Sequence, residues 1–506
     1  SPNAQSIIQD SFGNIWIGNY RGGIDFISHT QPLFNTITYK TEKYGHNCNK
    51  QVWGLWADNN RQIWLGGEGE LGIYKEGKEI EIIPLNQCRL NKQTHISVIH
   101  QDKHGDLWLG THKHGVAIYH PDTKRITCIG DDKDGSLDIL CFYEDTDGKI
   151  WIGTQSGLYS AYNRELTQED KINRLLTNKG IRSILRDKNG KLWIGAKGLF
   201  LFDDKGQLFQ ELTTEQSFPI RSVNYLMEDS RKRIWVGTND GILVFRDASH
   251  LEDYSHYGTK EGLQNTNVRA IQEDHDGTIW LSTNAGISRL DEKTKTFYNY
   301  NHYDGVPMGD FMDGSTCIST DGILYFGSQG GACYFTPGEV NSIRKPAPVT
   351  ITQFSIYDKQ TESKDTEHPL PLTDANIQLP YNQNTFKISF NVLDYAISSQ
   401  VEFSYILEGL ENTWYNTQGE KQIIFRNIPP GHYTFKVKTR LRNQEWEKDE
   451  ATLHIRITPP FWLSWYAKLI YALLIILIIY GVSRFYKRKL DLESSLEVER
   501  KQSLNK

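Results

Sequence analysis

One phrase, "DGKIWIGTQSGLY" at residues 147–159, constrains this chain more than any other feature. It reads as a turn at Asp147-Gly148, a strand, a second turn at Ser156-Gly157 and a second strand. The phrase recurs eight times, centred on Trp16, Trp64, Trp108, Trp151, Trp193, Trp235, Trp280 and Tyr325. Successive centres lie 48, 44, 43, 42, 42, 45 and 45 residues apart. A period of about 40–50 residues with roughly four strands per repeat is the signature of propeller blades. A lone blade cannot bury both faces, so neighbouring repeats must stack in a ring.

Each repeat is expected to hold four strands. Strand A is apolar, as in "SVIHQD" at 97–102, and an Asp-x-x-Gly turn follows it. Strand B is "LWLG", strand C runs like "GVAIYH" at 115–120, and strand D is looser, like "RITCIG" at 125–130. The alternation fits half-buried strands, with Asn, Asp and Gly supplied where turns need positive φ. The repeated tryptophan is read as packing between blades. "DTDGK" at 145–149 and "DHDGT" at 274–278 resemble pieces of a calcium loop, but Tyr143 and Gln272 stand where the first ligand is needed. Thr154 and Thr283 stand where the closing glutamate is needed, so both are read as A–B turns and no metal is expected.

Ring size follows from strand counting. The last set has no evident strand D, whereas "FNTITY" at 34–39 precedes the second set. If that segment closes the ring, residues 34–345 form seven blades and residues 1–33 are the last blade of an upstream propeller. An eight-bladed ring is the alternative. From 346 to 459 the pattern changes to six alternating strands of an immunoglobulin-like β-sandwich.

"FWLSWYAKLIYALLIILIIYGVSRFYKRK" at 461–489 follows. Residues 469–479 hold nine Leu or Ile, worth roughly -4.5 kcal/mol of insertion free energy at about -0.5 kcal/mol each. Trp462, Trp465 and Tyr466 mark one interface, and Tyr480 and Tyr486 the other. A transmembrane helix is therefore expected at 460–483. Arg484, Lys487, Arg488 and Lys489 follow at once, which places the C-terminus in the cytoplasm and residues 1–460 outside by the positive-inside rule. Residues 484–506 read as the start of a cytoplasmic helix, and the chain as a piece of a longer protein, because Ser1 is not an initiating methionine.

Net charge is -6, which gives no basic field for nucleic acid. The six cysteines show no CxxC or zinc spacing. Most sit in apolar runs and read as buried thiols, with one disulfide open in an oxidising compartment. No nucleophile motif, HExxH or cofactor motif is present, so no catalytic residue and no cofactor is expected.

The order of parts resembles the sensor half of the hybrid two-component systems of gut Bacteroidetes. The "DxxGxIWIGTxxGL" phrase is similar to that family's regulator-propeller repeat. "YILEGLENTWYN" with "IIFRNIPPGHYTFKVK" is similar to its triple-tyrosine domain; Tyr405 and Tyr433 match two of the named tyrosines, and Phe425 stands in the third place. The resemblance implies an inner-membrane receptor in which two periplasmic propellers sense a glycan fragment and a histidine kinase, a receiver and a DNA-binding domain follow the membrane helix. A single membrane helix can pass on a shift in distance or angle between two copies, so a homodimer is expected. An anchored adhesion or scaffold propeller and an anchored lyase or hydrolase are the competing classes.

In a propeller the D–A and B–C loops share one face, the usual ligand site. The B–C side offers His112, His114, Asn239, Asn284 and Gln329. The D–A side offers Trp53, His95, Arg182, Arg221 and Arg269. Aromatic faces stack on sugar rings, and arginine pairs with sulfate or carboxylate.

Overall fold

The turn aspartate and the repeat tryptophan six residues later are one device. In each turn of the type seen at Asp102, the carboxylate Oδ1 accepts the backbone N–H groups two and four residues on, from His104 at 2.9 Å and Asp106 at 3.1 Å. The other oxygen accepts the indole N–H of Trp108 at 3.0 Å. The same indole bond joins Asp10–Trp16, Asp58–Trp64, Asp145–Trp151, Asp187–Trp193, Asp229–Trp235 and Asp274–Trp280, at 2.8–3.1 Å. One side chain thus caps the A–B turn and satisfies the only polar atom of a buried indole. In the last repeat both partners change together, to Ser319 and Tyr325. The fourth turn residue sits at positive φ, glycine in most repeats (Gly148 +82°) and Arg61 (+58°) or Lys232 (+68°) in two.

The computed structural model describes residues 3–504, apart from 21, 30–31, 39, 44–45, 50, 130–136, 163, 174–175, 177–178, 204–205, 215–217, 341–346, 359–360, 366–374, 396, 399, 418 and 442–444. The chain divides into two units, Thr30–Ser342 and Ser1–His29 with Ile343–Lys506. The first unit holds seven four-stranded antiparallel sheets. Six take consecutive strands. The seventh takes Phe311–Ile318, Leu324–Ser328 and Gly331–Phe335 and is completed by Asn35–Ile37, with Ile37 opposite Ala332 and Asn35 opposite Tyr334. The ring is therefore closed by the segment that precedes its first blade.

Side chains of strands B and C fill the space between sheets. Trp193, Trp235 and Trp280 are fully buried. Trp64 packs on Tyr119 of the next blade, Trp193 on Phe245 and Trp280 on Phe335, with ring centroids 4.7–5.9 Å apart. The first carboxylates of "DTDGK" and "DHDGT" are engaged: Asp145 holds Trp151 and, from the next blade, Arg186, and Asp274 holds Asp276, Thr278 and Trp280.

One pair of cysteines is joined, in the single disulfide that the sequence left open. Cys88, after strand Glu81–Pro84, forms a disulfide with Cys128 on strand Arg125–Ile129, clipping the outer edges of two adjacent blades. Outer strands have partners on one side only, so cysteines there meet across the gap between sheets. Cys141, Cys317 and Cys333 are free, and burial raises all three thiol pKa values, Cys141 to about 12.

In the second unit, the first repeat forms a three-stranded sheet, Asn3–Gln9, Ile15–Tyr20 and Gly23–Ile27, with Ile7, Ile8, Ile24 and Ile27 exposed. Trp16 meets Tyr395 edge-on at 5.1 Å. The expected boundary at 33/34 falls earlier, because Leu33 and Phe34 pack in the core of the seventh blade. The boundary expected at 345/346 lies within 341–346, outside the described residues.

The sandwich has a four-stranded sheet (Thr361–Asp365, Val349–Asp358, Phe386–Val392, Gln422–Phe425) and a five-stranded one (Asn376–Pro380, Glu450–Thr458, Gly431–Leu441, Val401–Glu408, Tyr415–Asn416). Phe354, Phe386, Phe390, Phe403, Phe435 and Leu453 form its core. Asn376–Pro380, absent from the six strands expected, pairs parallel with Glu450–Thr458. The Tyr433 hydroxyl donates to Pro429 O at 2.8 Å and pins the "IPPGHY" turn, the geometry of a tyrosine corner. A helix, Trp465–Leu504, then runs without a break at 483/484, long and apolar enough to cross a membrane, with its apolar window unburied.

Candidate functional site: the mouth of the propeller

Seven A strands line the central channel, and one face of the ring is built where they begin. In six blades, the residue six before the turn aspartate is a buried aliphatic: Val52, Ile96, Ile139, Ile181, Val223 and Val268. The next residue, five before the turn, falls at the rim: Trp53, Ser97, Leu140, Arg182, Asn224 and Arg269. In all six of these strands a bulge separates these positions from the regular ladder, as at Ile96/Val98, or the ladder begins just after them, as at Gly54 and Ser183. A bulge leaves its extra residue unpaired and re-aims its side chain.

The seventh blade departs from this plan. Phe311 lies opposite Ser328, as Ile96 lies opposite Thr111, but the ladder resumes only with Thr316 opposite Phe326. Residues 312–315 occupy an enlarged bulge, with Gly314 at φ +67°. The extra chain carries Asp313 into the mouth. There Arg269 Nη1 donates to Asp313 Oδ1 at 2.7 Å, and Arg182 Nη1 lies 3.8 Å from Asp313 Oδ2.

These groups open on a cavity of about 500 Å3, within the range of small-ligand sites. Trp53, His95, His112, Arg182, Arg269 and Gln329 line it, together with Asp138, Gln155, Asp310, Met312 and Asp313. It leads toward a channel of about 450 Å3 that shares Trp53, Ser97, Arg182 and Asp313 and reaches His100, Arg186 and Glu228. Backbone bonds tie the two loop sets into one rim. His112 N donates to His95 O, Gln155 N to Asp138 O and Gln329 N to Asp310 O, each at 3.0 Å. Trp53 and His95 stand edge to face at 6.3 Å, as do His95 and His112. His112 Nδ1 is 3.0 Å from Asp138 Oδ1, and His95 Nε2 is 3.9 Å from Glu68.

Six of the ten residues expected from the sequence therefore share one cavity. Two more stand behind it. Asn284 accepts from Arg269 Nε at 2.7 Å. Asn239 accepts from the amide of Asn224, whose own oxygen accepts from Arg182 Nη1 at 2.9 Å. Asn224 is fully buried and also bonds Val268 O at 2.8 Å, so Arg182 is held by a fixed acceptor. His114 turns to Asn91 and to His112 O, and Arg221 is exposed before strand Val223–Glu228; neither lines the cavity. Sequence reasoning missed Asp138, Asp310, Asp313 and Asn224. Counting five residues back from each turn aspartate finds Asn224, and the two surplus residues in "FMDGSTCIST" point to Asp313.

The arrangement sets aromatic faces beside hydrogen-bond donors and acceptors in a partly enclosed space. Among the described residues no cluster of His, Cys, Asp or Glu has metal-holding geometry.

The model of the two-component regulator propeller matches residues 135–156, 175–198, 217–240 and 262–285, and the model of the Y_Y_Y domain matches residues 394–458. The chain carries two-component regulator propeller repeats and a Y_Y_Y domain. A solved structure, described as the extracellular domain of a hybrid two component system of B. thetaiotaomicron, is 37% identical, with a TM-score of 0.80 over 90% of this chain and 62% of that one. A protein named Histidine kinase P4, from Formosa agariphila, is 27% identical over 47% of this chain and 18% of its own length. The chain thus spans less than two thirds of the relatives it matches. Four regulator-propeller repeats carry Asp138, Gln155, Arg182, Asn224, Asn239, Arg269 and Asn284. Trp53, His95, His112, Asp313 and Gln329 fall outside those matched stretches.

Proposed function

We propose that this chain is the sensing portion of a transmembrane receptor that binds an oligosaccharide in the propeller mouth. The observation that carries the reading is the mouth cavity itself, on a chain whose domain order is propeller, Y_Y_Y sandwich and apolar helix. Trp53, His95 and His112 offer ring faces and edges to a sugar, and Asp313, Arg182, Arg269 and Gln329 offer hydrogen bonds to its hydroxyls. Asn239 and Asn284 act behind the arginines, and His114 and Arg221 lie outside the contact set.

The sensing part faces the periplasm, the helix crosses the inner membrane, and the basic run after Arg484 lies in the cytoplasm, where a histidine kinase receives the signal. A single helix transmits best as a change in spacing or angle between two copies, so the receptor works as a homodimer. Support for continuity comes from the sandwich end of the helix, where Tyr381 meets Trp462 edge-on at 5.2 Å and Pro459-Pro460 stiffen the junction.

Calorimetry of the chain in nanodiscs against a panel of oligosaccharides tests the reading, with product analysis of each bound sugar. Binding with the sugar returned unchanged supports a sensor. Turnover of the sugar moves the assignment to an anchored lyase or hydrolase, and the absence of any binding refutes the glycan reading.

A further inference from the structure

The charge balance of the mouth disfavours an anionic sugar. Arg182 and Arg269 line the cavity with Asp138, Asp310 and Asp313, two cations against three carboxylates. Both guanidinium groups are already engaged. Arg269 holds Asp313 and Asn284, each at 2.7 Å, and Arg182 holds Asn224 at 2.9 Å with Asp313 at 3.8 Å. A sulfate or uronate group would have to displace Asp313 or settle beside it. In a partly desolvated site either course is opposed by repulsion between like charges.

A neutral sugar meets no such conflict. Its hydroxyls both donate and accept, so one can donate to a carboxylate while its neighbour accepts from a guanidinium. Arg182, Asp313 and Arg269 present that alternation in fixed order. Trp53, 36% exposed at the rim, offers an apolar ring to the C–H face of the sugar, beside the edge-on rings of His95 and His112. The enlarged bulge points the same way. The other six blades bury an aliphatic residue at the corresponding count from the turn, and packing alone has no use for a carboxylate at the rim.

We propose that the propeller mouth is a site for a neutral oligosaccharide, free of sulfate and carboxylate, with one ring on Trp53 and its hydroxyls shared among Asp313, Arg182 and Arg269. This rests on the glycan-sensor reading above and narrows it to a ligand class and a contact set.

The test is calorimetry of the whole chain in nanodiscs, with each neutral oligosaccharide paired with a sulfated or uronic counterpart of the same backbone. A neutral member should bind at least about tenfold more tightly than its anionic counterpart. Trp53→Ala should weaken it by about tenfold or more, and because Trp53 lies at the rim this variant keeps the ring intact. Asp313→Asn should weaken the neutral sugar and narrow its lead over the anionic one. Tighter binding of the anionic counterpart overturns the ligand class while leaving the sensor reading standing. Binding indifferent to both variants overturns the site. No binding by any member refutes the sensor reading and this inference with it.

Discussion

Removing the Asp274 carboxylate should unseat one blade, and its effect can be built from the parts it holds. Trp280 is fully buried and donates to Asp274 at 2.9 Å. Without an acceptor that N–H is a buried orphan, costing about 1–3 kcal/mol. The N–H groups of Asp276 and Thr278 lose acceptors at 3.0 and 2.8 Å. These sit nearer solvent and regain water, so about 0.5–1 kcal/mol each is reasonable. Asp274→Ala should thus destabilise the propeller by roughly 2–5 kcal/mol, or about 4–10 °C at around 2 °C per kcal/mol for a domain of this size. Asp276 lies in the same turn but is exposed, and Asp276→Ala should move the transition by less than about 1 °C. Trp280→Phe should be destabilising through lost packing, yet Asp274→Ala should add much less on top of it, because no indole N–H is left to orphan. Thermal unfolding followed by tryptophan fluorescence gives all four corners of the cycle. Equal shifts for Asp274→Ala and Asp276→Ala, or strict additivity with Trp280→Phe, would refute the coupling.

The Cys88–Cys128 bridge closes a sequence separation of 40 and should contribute about 4 kcal/mol by chain entropy; reductant, or the double alanine variant, should lower the propeller transition accordingly. His100 has its pKa lowered by burial, with Glu144 at 3.1 Å and Asp102 opposing the shift. It therefore protonates at lower pH in the fold than in the unfolded chain, where histidine titrates near pH 6.5, so stability should be lost as pH falls below that value until the folded group protonates too, by up to about 1.4 kcal/mol per pH unit, and His100→Gln should flatten this part of a denaturation–pH series. If the chain senses a sugar for a following kinase as proposed, a Gly/Ser insertion after Pro460 should leave sugar affinity unchanged and abolish ligand-dependent output; unchanged output would refute transmission through that junction.

Most of the fold was legible because the repeat states it many times over. Seven of the eight copies carry a turn aspartate and a tryptophan, six carry a glycine at the fourth turn position, and each is explained by one local geometry. The closing strand was legible by subtraction, since the last repeat lacked a strand D and "FNTITY" preceded the second set. What escaped notice depends on pairing between distant segments. Asn376–Pro380 is five residues of ordinary alternation, and its parallel partner lies about 78 residues on. The disulfide likewise joins two outer edges whose proximity follows from blade spacing, which local pattern does not reveal.

The site was legible to the extent that it obeys the repeat. Trp53, Arg182 and Arg269 occupy one phase of strand A, so loops read in register bring them to the same rim. Asn224 shares that phase and was passed over because a buried asparagine looks like any strand residue until Arg182 is seen resting on it. Arg221 was chosen from the same loop, three residues too early. Asp313 is the instructive case, because it lies where the repeat fails. Two surplus residues and a glycine at positive φ shift the phase of strand A in one blade of seven, and the side chain brought inward is the one that both arginines face. The other six rims vary by substitution at one fixed phase (Trp53, Ser97, Leu140, Arg182, Asn224 and Arg269), whereas the seventh varies by a change of phase. That change of phase falls in the blade whose outer strand is Asn35–Ile37.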